Sequence, residues 1–449
     1  MVGSERLTEL EALSKKVADA ISEHGFIRLI SHNDADGLSA AGIMCNALNR
    51  QQILFHATIV SQFDLSTVEM IEKTSQEAVI LCDMGSGQAE LASKIRNAII
   101  IDHHKPTGKL EQVHFNPHLV GIDGSSEMCA SCGAYMVARQ MGDNTDLAGL
   151  AIAGAMGDKQ PMEGANRFIL DEAVQKKVVT VRKGLKAGDG TIEELLEYGT
   201  DPYLDITGDR EKIRSFVDAL DIKGRIKDLT EEQLIRLTSV LVLKLAKQGS
   251  ISAINSLIGD IYTLNREVVS NIFDLINILN ACGKEDKHGL GIAVCMRDAS
   301  VLDEAQATAR EHQRTLINVL KKAEKEVKSK PNIRFLILDD ASGTGIVAGT
   351  MTRYLYPDKP FITLNEVEDK IKVSARGTRK LVTAGLDLAA AMREASAQVG
   401  GSGGGHDIAS GATIPRGTAM KFIDLVDSIV EKQLRGKHDE DKREADLQK

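Results

Sequence analysis

The sequence predicts an α/β protein: a parallel-sheet domain, then a helical insertion, then a smaller α/β domain. Three observations predict it. Four short apolar runs near the N-terminus each close on a polar or acidic residue and alternate with helical stretches, the pattern of a parallel sheet with helices on both faces. Residues 189–299 carry helical periodicity with few strand signals. Residues 331–434 return to strand–helix alternation.

Taken in order, FIRLIS (26–31), ILFHATIV (53–60), AVILCD (78–83) and NAIIID (97–102) read as strands, with helical stretches at 38–49 and 88–96 between them. The apolar run LAGLAIAGAMG reads as a helix, and this first domain is expected over 1–188. The insertion at 189–299 holds the amphipathic patterns REKIRSFVDAL, EEQLIRLTSVLVLKLAK and VVSNIFDLINILNACG. Residues 300–330 form one long charged helix with Leu316, Leu320, Ala323 and Val327 on a stripe, a connector between domains. In the last domain, 331–434, FLILDD, PFITLNE and DKIKVSARG read as strands and LAAAMREASAQV and AMKFIDLVDSIVEKQL as helices. Residues 435–449 read as a solvated, disordered charged tail.

Composition narrows the function. With 55 Lys and Arg against 64 Asp and Glu, the net charge is −9, so any phosphate-bearing partner must be held by local basic groups or by metal ions. Aromatic residues make up only 4% and Trp is absent, which leaves room for only a small base-stacking platform. No apolar run reaches 18 residues, so no membrane-spanning helix is expected, and the N-terminus lacks the apolar core of a signal peptide. Six cysteines in 449 residues point to a reducing, cytoplasmic setting. Cys129 and Cys132 form one CxxC without a second ligand pair, which favours packing over zinc.

Four clusters carry chemistry. His32-Asn33-Asp34-Ala35-Asp36-Gly37 follows the first strand. Asp83 ends the third and precedes Met84-Gly85-Ser86-Gly87. Asp102-His103-His104 ends the fourth, and Gly157-Asp158-Lys159-Gln160 follows the apolar helix. Ligands of parallel sheets bind at the carboxyl ends of the strands. Carboxylates gathered there repel one another unless cations intervene, and a mixed carboxylate–imidazole set suits Mn²⁺ or a similar ion. Two such ions can activate water and clamp the oxygens of a phosphoryl group.

This set resembles the DHH phosphoesterase superfamily, named for the Asp-His-His that stands here at 102–104. HNDADG is similar to its first motif, Asp83 to its second and Asp158 in GDKQ to its fourth. The resemblance implies two metal sites. Asp34 would serve one and Asp36 the other, with Asp83 bridging, His103 and Asp158 completing the second, and His32 a further ligand. His104 would face the substrate as general acid or phosphate contact. Asp102 would orient a histidine ring.

The last domain adds Ser374-Ala375-Arg376-Gly377 and the run Gly400 to Gly405 ending in His406. Glycines let backbone amides approach an anion, and Arg376 offers a planar fork for phosphate. Ser374, Arg376, Gly404, Gly405 and His406 are the expected substrate contacts. SARG and GGGH resemble the DHHA1 substrate-binding domain. Ala341-Ser342-Gly343-Thr344-Gly345 with Gly349 looks like a dinucleotide motif, but its GxGxxxG spacing and single short βαβ frame argue against one.

The layout of DHH domain, helical insertion and DHHA1 domain resembles the archaeal RecJ-like nucleases that associate with the GINS replication complex. It implies a metal-dependent, single-strand-specific exonuclease of DNA, with RNA a secondary substrate, 5′-to-3′ by preference, in DNA replication or repair. The cofactors would be two divalent ions, Mn²⁺ before Mg²⁺ or Co²⁺. Partners would be single-stranded nucleic acid and a GINS-type complex, and no membrane. A hydrolase of short oligonucleotides or small nucleotide diesters, or a GINS-binding scaffold with secondary nuclease activity, are the alternatives.

Overall fold

The computed structural model describes residues 3–74, 76–338, 343–367 and 369–447. Asp339 and Asp340 of FLILDD, and Ala341 and Ser342 of the dinucleotide-like segment, lie outside the described residues. The chain divides into two compact units: Met1–Gly184 with Asp260–His312, and Leu185–Gly259 with Gln313–Lys449.

The first unit is built on five parallel strands: β1 (Phe26–His32), β2 (Leu54–Val60), β3 (Ala78–Cys82), β4 (Ala98–Ile101) and β5 (Val113–Phe115). Their spatial order is β2-β1-β3-β4-β5. Every residue of β3 and β4 is buried, which is why these strands read as unbroken apolar runs rather than alternating ones. β5 is three residues long, too short to show a pattern in sequence. One face carries the larger core, where Leu38, Ile43, Tyr135, Val137, Leu150 and Leu279 pack from several helices. The other carries a smaller core that includes Val68, Ile71 and Ile95. The order reverses at β1 and β3, whose neighbours lie on opposite sides; an open α/β sheet opens its crevice at such a point.

Two further strands, β6 (Val179–Leu185) and β7 (Ile258–Leu264), pair as a ribbon along which the chain leaves the first unit and re-enters it. The expected insertion at 189–299 is therefore not one body. Residues 185–259 belong to the second unit and 260–312 to the first. The reason is burial of the apolar stripes. Ile213, Val217 and Leu220 of helix Arg210–Leu220, with Leu237, Leu241 and Leu245 of helix Glu231–Gln248, share one core with Leu336, Val347 and Phe361. Leu275, Ile278 and Leu279 of helix Ile272–Lys284 join the core of the first unit instead.

The second unit is a six-stranded sheet in the order β12-β13-β11-β10-β9-β8. Its strands are β8 (Lys328–Ser329), β9 (Arg334–Leu338), β10 (Phe361–Val367), β11 (Lys370–Arg376), β12 (Ser402–Gly405) and β13 (Ala409–Pro415). Only β9 and β10 run parallel. Ile362, Leu364, Val373, Ala375 and Ile414 pack with helices Leu388–Gln398 and Ala419–Leu447 on one face. The connecting helix runs Leu302–Glu326 with Leu320 and Ala323 buried, as its stripe requires. The charged segment 435–449, expected as a tail, continues helix Ala419–Leu447; its Lys, Glu and Arg residues favour helix, and residues 448 and 449 lie outside the described residues.

Candidate functional site

His32 is the last residue of β1, Asp83 follows β3 and Asp102 follows β4, so three strand ends deliver side chains to one edge. Asp34 caps the helix Ala35–Arg50, accepting from the Gly37 amide at 2.9 Å, and Asp36 lies in its first turn. Asp158 caps the C-terminus of helix Ala148–Gly157. Asp83 holds φ of 58°, a left-handed conformation that Asp tolerates better than most residues and that turns its carboxylate out of the strand.

The structure brings all six expected ligands together. His32 Nδ1 is 2.8 Å from Asp34 Oδ2 and 3.4 Å from Asp83 Oδ2. His103 Nε2 is 3.2 Å from Asp83 Oδ1, 3.5 Å from Asp158 Oδ2 and 4.0 Å from Asp36 Oδ2. Three donor groups result, His32-Asp34-Asp83, Asp36-His103-Asp158 and Asp83-Asp102-His103-His104, each with its ligand atoms within 4.8 Å of one another; the first two hold the six expected ligands. Asp83 faces both histidines.

Asp83 Oδ1 is buried and accepts no hydrogen bond. Burial, then the charges of Asp36, Asp83 and Asp34, push the Asp158 carboxyl up to about 9. Burial, with Asp83 close by, also raises Asp36. Burial works against a charged His103, yet the adjoining Asp83 and the charges of Asp36 and Asp102 raise it to about 11. His32, likewise opposed by burial, is raised to about 10 by Asp34 and Asp83. Protons are doing the work of cations. An orphaned carboxylate oxygen and two mixed N,O donor groups fit divalent metal ions.

Buried partners hold this arrangement. Asp36, fully buried, accepts from the Ala130 and Ser131 amides at 2.8 and 2.9 Å, at the N-terminus of helix Ala130–Gln140. His103 Nδ1 lies 2.7 Å from the Gly124 carbonyl, which fixes the tautomer and leaves Nε2 toward the carboxylates. Asp102 accepts from the Ser86, His103 and His104 amides at 2.8, 2.7 and 3.1 Å and meets His104 Nδ1 at 2.8 Å. Although burial acts against it, this set, led by His104, holds the Asp102 carboxyl well below the usual range. His104 is more than half exposed, and its pKa is raised chiefly by Asp102.

Sequence reasoning missed several supports. Asn116 is wholly buried and donates to Ser86 Oγ and to the His104 carbonyl, both at 2.9 Å. Its place before Pro117 is a readable helix-start signal. Gly154 leaves room for the site: a Cβ there would stand 2.1 Å from Ser131 Oγ and 2.5 Å from Asp36 Oδ1. A glycine inside an otherwise helical run was the available clue. The six cysteines are free and buried.

In the second unit, β11 carries Ser374 and Arg376 and β12 carries Gly404 and Gly405, with β13 between them. The register puts Ser374, Gly411 and Gly404 in one row across the three strands. Ser374 Oγ is 3.2 Å from Thr344 Oγ1. Burial lowers the Arg376 guanidinium, and among the described residues no carboxylate pairs with it. His406 is exposed beyond the end of β12, its amide donating to the Ala409 carbonyl at 2.9 Å. The glycine run is thus ordered β-structure at a sheet edge rather than a loose loop.

Comparison with known proteins assigns the family. A protein of Methanocaldococcus jannaschii described as uncharacterized is 35% identical over 445 residues, covering 96% of this chain and 99% of that one. Residues 26–155 match the DHH family, N-terminal domain, and residues 334–432 match the DHHA1 domain. The chain belongs to the DHH/DHHA1 family. The fold of this DHH protein is that of RecJ-like proteins. RecJ from Thermus thermophilus in complex with Mn²⁺ aligns with a TM-score of 0.59 at 18% identity, over 94% of this chain and 55% of that one. The DHH chain thus spans about half the length of that RecJ. CDC45 from Entamoeba histolytica aligns with a TM-score of 0.61 at 15% identity, over 94% and 99% of the two chains. No helix among the described residues is long and apolar enough to cross a membrane.

Proposed function

We propose that this protein is a two-metal, single-strand-specific exonuclease acting on DNA, with RNA as a secondary substrate, 5′-to-3′ by preference. The observation that carries the reading is the pair of mixed donor groups His32-Asp34-Asp83 and Asp36-His103-Asp158, linked by the contact of His103 with Asp83. His32, Asp34 and Asp83 would hold one divalent ion and Asp36, His103, Asp158 and Asp83 the other, with Mn²⁺ favoured by the imidazole–carboxylate mix. Ions there supply an activated water and charge neutralisation at a phosphodiester. His104, exposed and raised toward its protonated form, donates a proton to the leaving oxygen from Nε2 while Asp102 holds Nδ1. Arg376, Ser374 and the Gly404–Gly405 edge grip a substrate phosphate, with His406 beside them.

The same reading includes a GINS-type partner. Ile235 and Leu243 support it, being about 60% exposed and eight residues apart on helix Glu231–Gln248. Ile235→Asp with Leu243→Asp should abolish capture of GINS in a pull-down and leave cleavage intact.

End-labelled single strands of DNA and RNA in a length series, with Mn²⁺ or with EDTA, test the proposal. Expected is metal-dependent shortening from the 5′ end on long strands, with duplex spared. Activity confined to strands of a few nucleotides would replace it with the oligonucleotide hydrolase. Absence of cleavage in Mn²⁺ would overturn it.

A further inference from the structure

The loop His32–Asp36 is held from outside the sheet, by a segment that reads in sequence as an insertion. Helix Ile272–Lys284 lies against it. Asn280 Oδ1 accepts from the Ala35 amide at 3.0 Å, and Asn33 Nδ2 donates to the Gly283 carbonyl at 3.1 Å. The backbones touch as well: a Cβ on Gly283 would stand 1.6 Å from the Asn33 carbonyl oxygen. One helical turn thus covers the residue between His32 and Asp34 and the residue between Asp34 and Asp36.

The Ala35 amide is one of the orphan donors at the start of helix Ala35–Arg50. Asp34 satisfies Gly37 from within the loop itself, but Ala35 is satisfied by a side chain 245 residues away. That bond sets the orientation of the peptide between two carboxylates that must face different ions. Other contacts support the brace. Asn46 Nδ2 donates to the Cys295 carbonyl at 3.1 Å, and a Cβ on Gly42 would stand 2.2 Å from Cys295 Cβ.

We infer that Asn280 and Gly283 are positioning residues for the metal-binding loop, so that residues 260–299 complete the catalytic lobe. The inference rests on the reading of His32, Asp34 and Asp36 as ligands. Outer partners of ligating groups typically change metal affinity about 10- to 100-fold when removed.

The test compares Asn280→Ala, Asn280→Asp and wild type in the full chain, by amide hydrogen exchange of the segment 32–37 without metal and by Mn²⁺ titration calorimetry. Asn280→Ala should speed exchange at 32–37 and weaken Mn²⁺ binding about 10- to 100-fold. Asn280→Asp, which keeps the acceptor oxygen, should restore both. If Asn280→Ala does not fold, Asn280→Ser, too short to reach Ala35, should show the same two effects. Unchanged protection of 32–37, or an Asp variant that behaves like Ala, would overturn the inference. Exchange is read without substrate, so a wild type that binds Mn²⁺ and cuts nothing would sink the nuclease reading alone.

Discussion

Asp83 has one carboxylate and two histidines to face, in a backbone conformation few residues hold without strain. Asp83→Asn keeps the shape and the tolerance for positive φ while removing the charge. Hydrolysis should fall at least about a hundredfold in saturating Mn²⁺, since charge stabilisation by the metals is worth several kcal/mol. A variant that keeps more than a tenth of the activity contradicts the role. The opposite case is Glu267, buried at 2% side-chain exposure and paired with Arg297 at 3.0 Å. Burial pushes the Glu267 carboxyl up, and Arg297 opposes this. Arg297→Ala should therefore cost roughly 3–5 kcal/mol at neutral pH, an uncompensated buried charge being the penalty. With Arg297 gone the folded-state pKa of Glu267 rises further, so the variant loses stability as pH rises through that value and recovers part of it in acid. Urea unfolding at pH 5 and pH 8 measures this. The gathering of these six residues was legible because Asp and His at the ends of strands and helices are unusual in number. Asn116, Gly124 and Ser131 were not, since each acts through a backbone group or a register that only folding creates.

The strand β12 shows how one residue type serves two purposes within a single element. A Cβ on Gly403 would stand 2.6 Å from the Met392 carbonyl oxygen, whereas a Cβ on Gly404 meets nothing within 4 Å. Gly403 packs on helix Leu388–Gln398, and Gly404 faces away from that helix, in the row with Gly411 and Ser374. Gly403→Ala should lower the melting temperature by several degrees, as a kcal/mol or more does in a domain of this size. Gly404→Ala should leave melting unchanged and raise KM for single strands. Equal melting for the two would show that packing on the helix is not what requires Gly403. Sequence pattern located β1 to β4 and the strands β9 to β11 within a residue or two, because each is an apolar or alternating run. It missed β6 and β7, whose exposed residues hide the periodicity, and it gave no strand signal for β12 because glycine carries no hydrophobic pattern.

The molecule has separate cores rather than one. Every residue of the largest core lies in Met1–Gly184 or Asp260–His312, while Leu185–Gly259 shares its core with Leu336, Val347 and Phe361. Removing 189–299 as a block, the division that the sequence suggests, takes Leu275, Leu279, Cys282 and Cys295 out of the catalytic core together with Asn280 and Gly283. Such a chain should be insoluble or fail to bind Mn²⁺. The structure offers a different cut. Lys186 donates its amide to the Leu257 carbonyl at 2.7 Å, so the two strands of the ribbon are already adjacent there. Residues 1–186 joined to 257–312 by a short Gly-containing turn would close a hairpin of the kind two antiparallel strands accept. This chain keeps all six candidate ligands, their supports and the complete core around them. It lacks Ser374, Arg376 and the β12 edge. It should fold cooperatively by circular dichroism and bind Mn²⁺ with wild-type affinity, yet show no measurable retention of single strands. Retention of single strands at wild-type strength would move substrate binding out of the DHHA1 lobe, and loss of Mn²⁺ binding by a folded chain would show that the catalytic lobe is not complete without its companion.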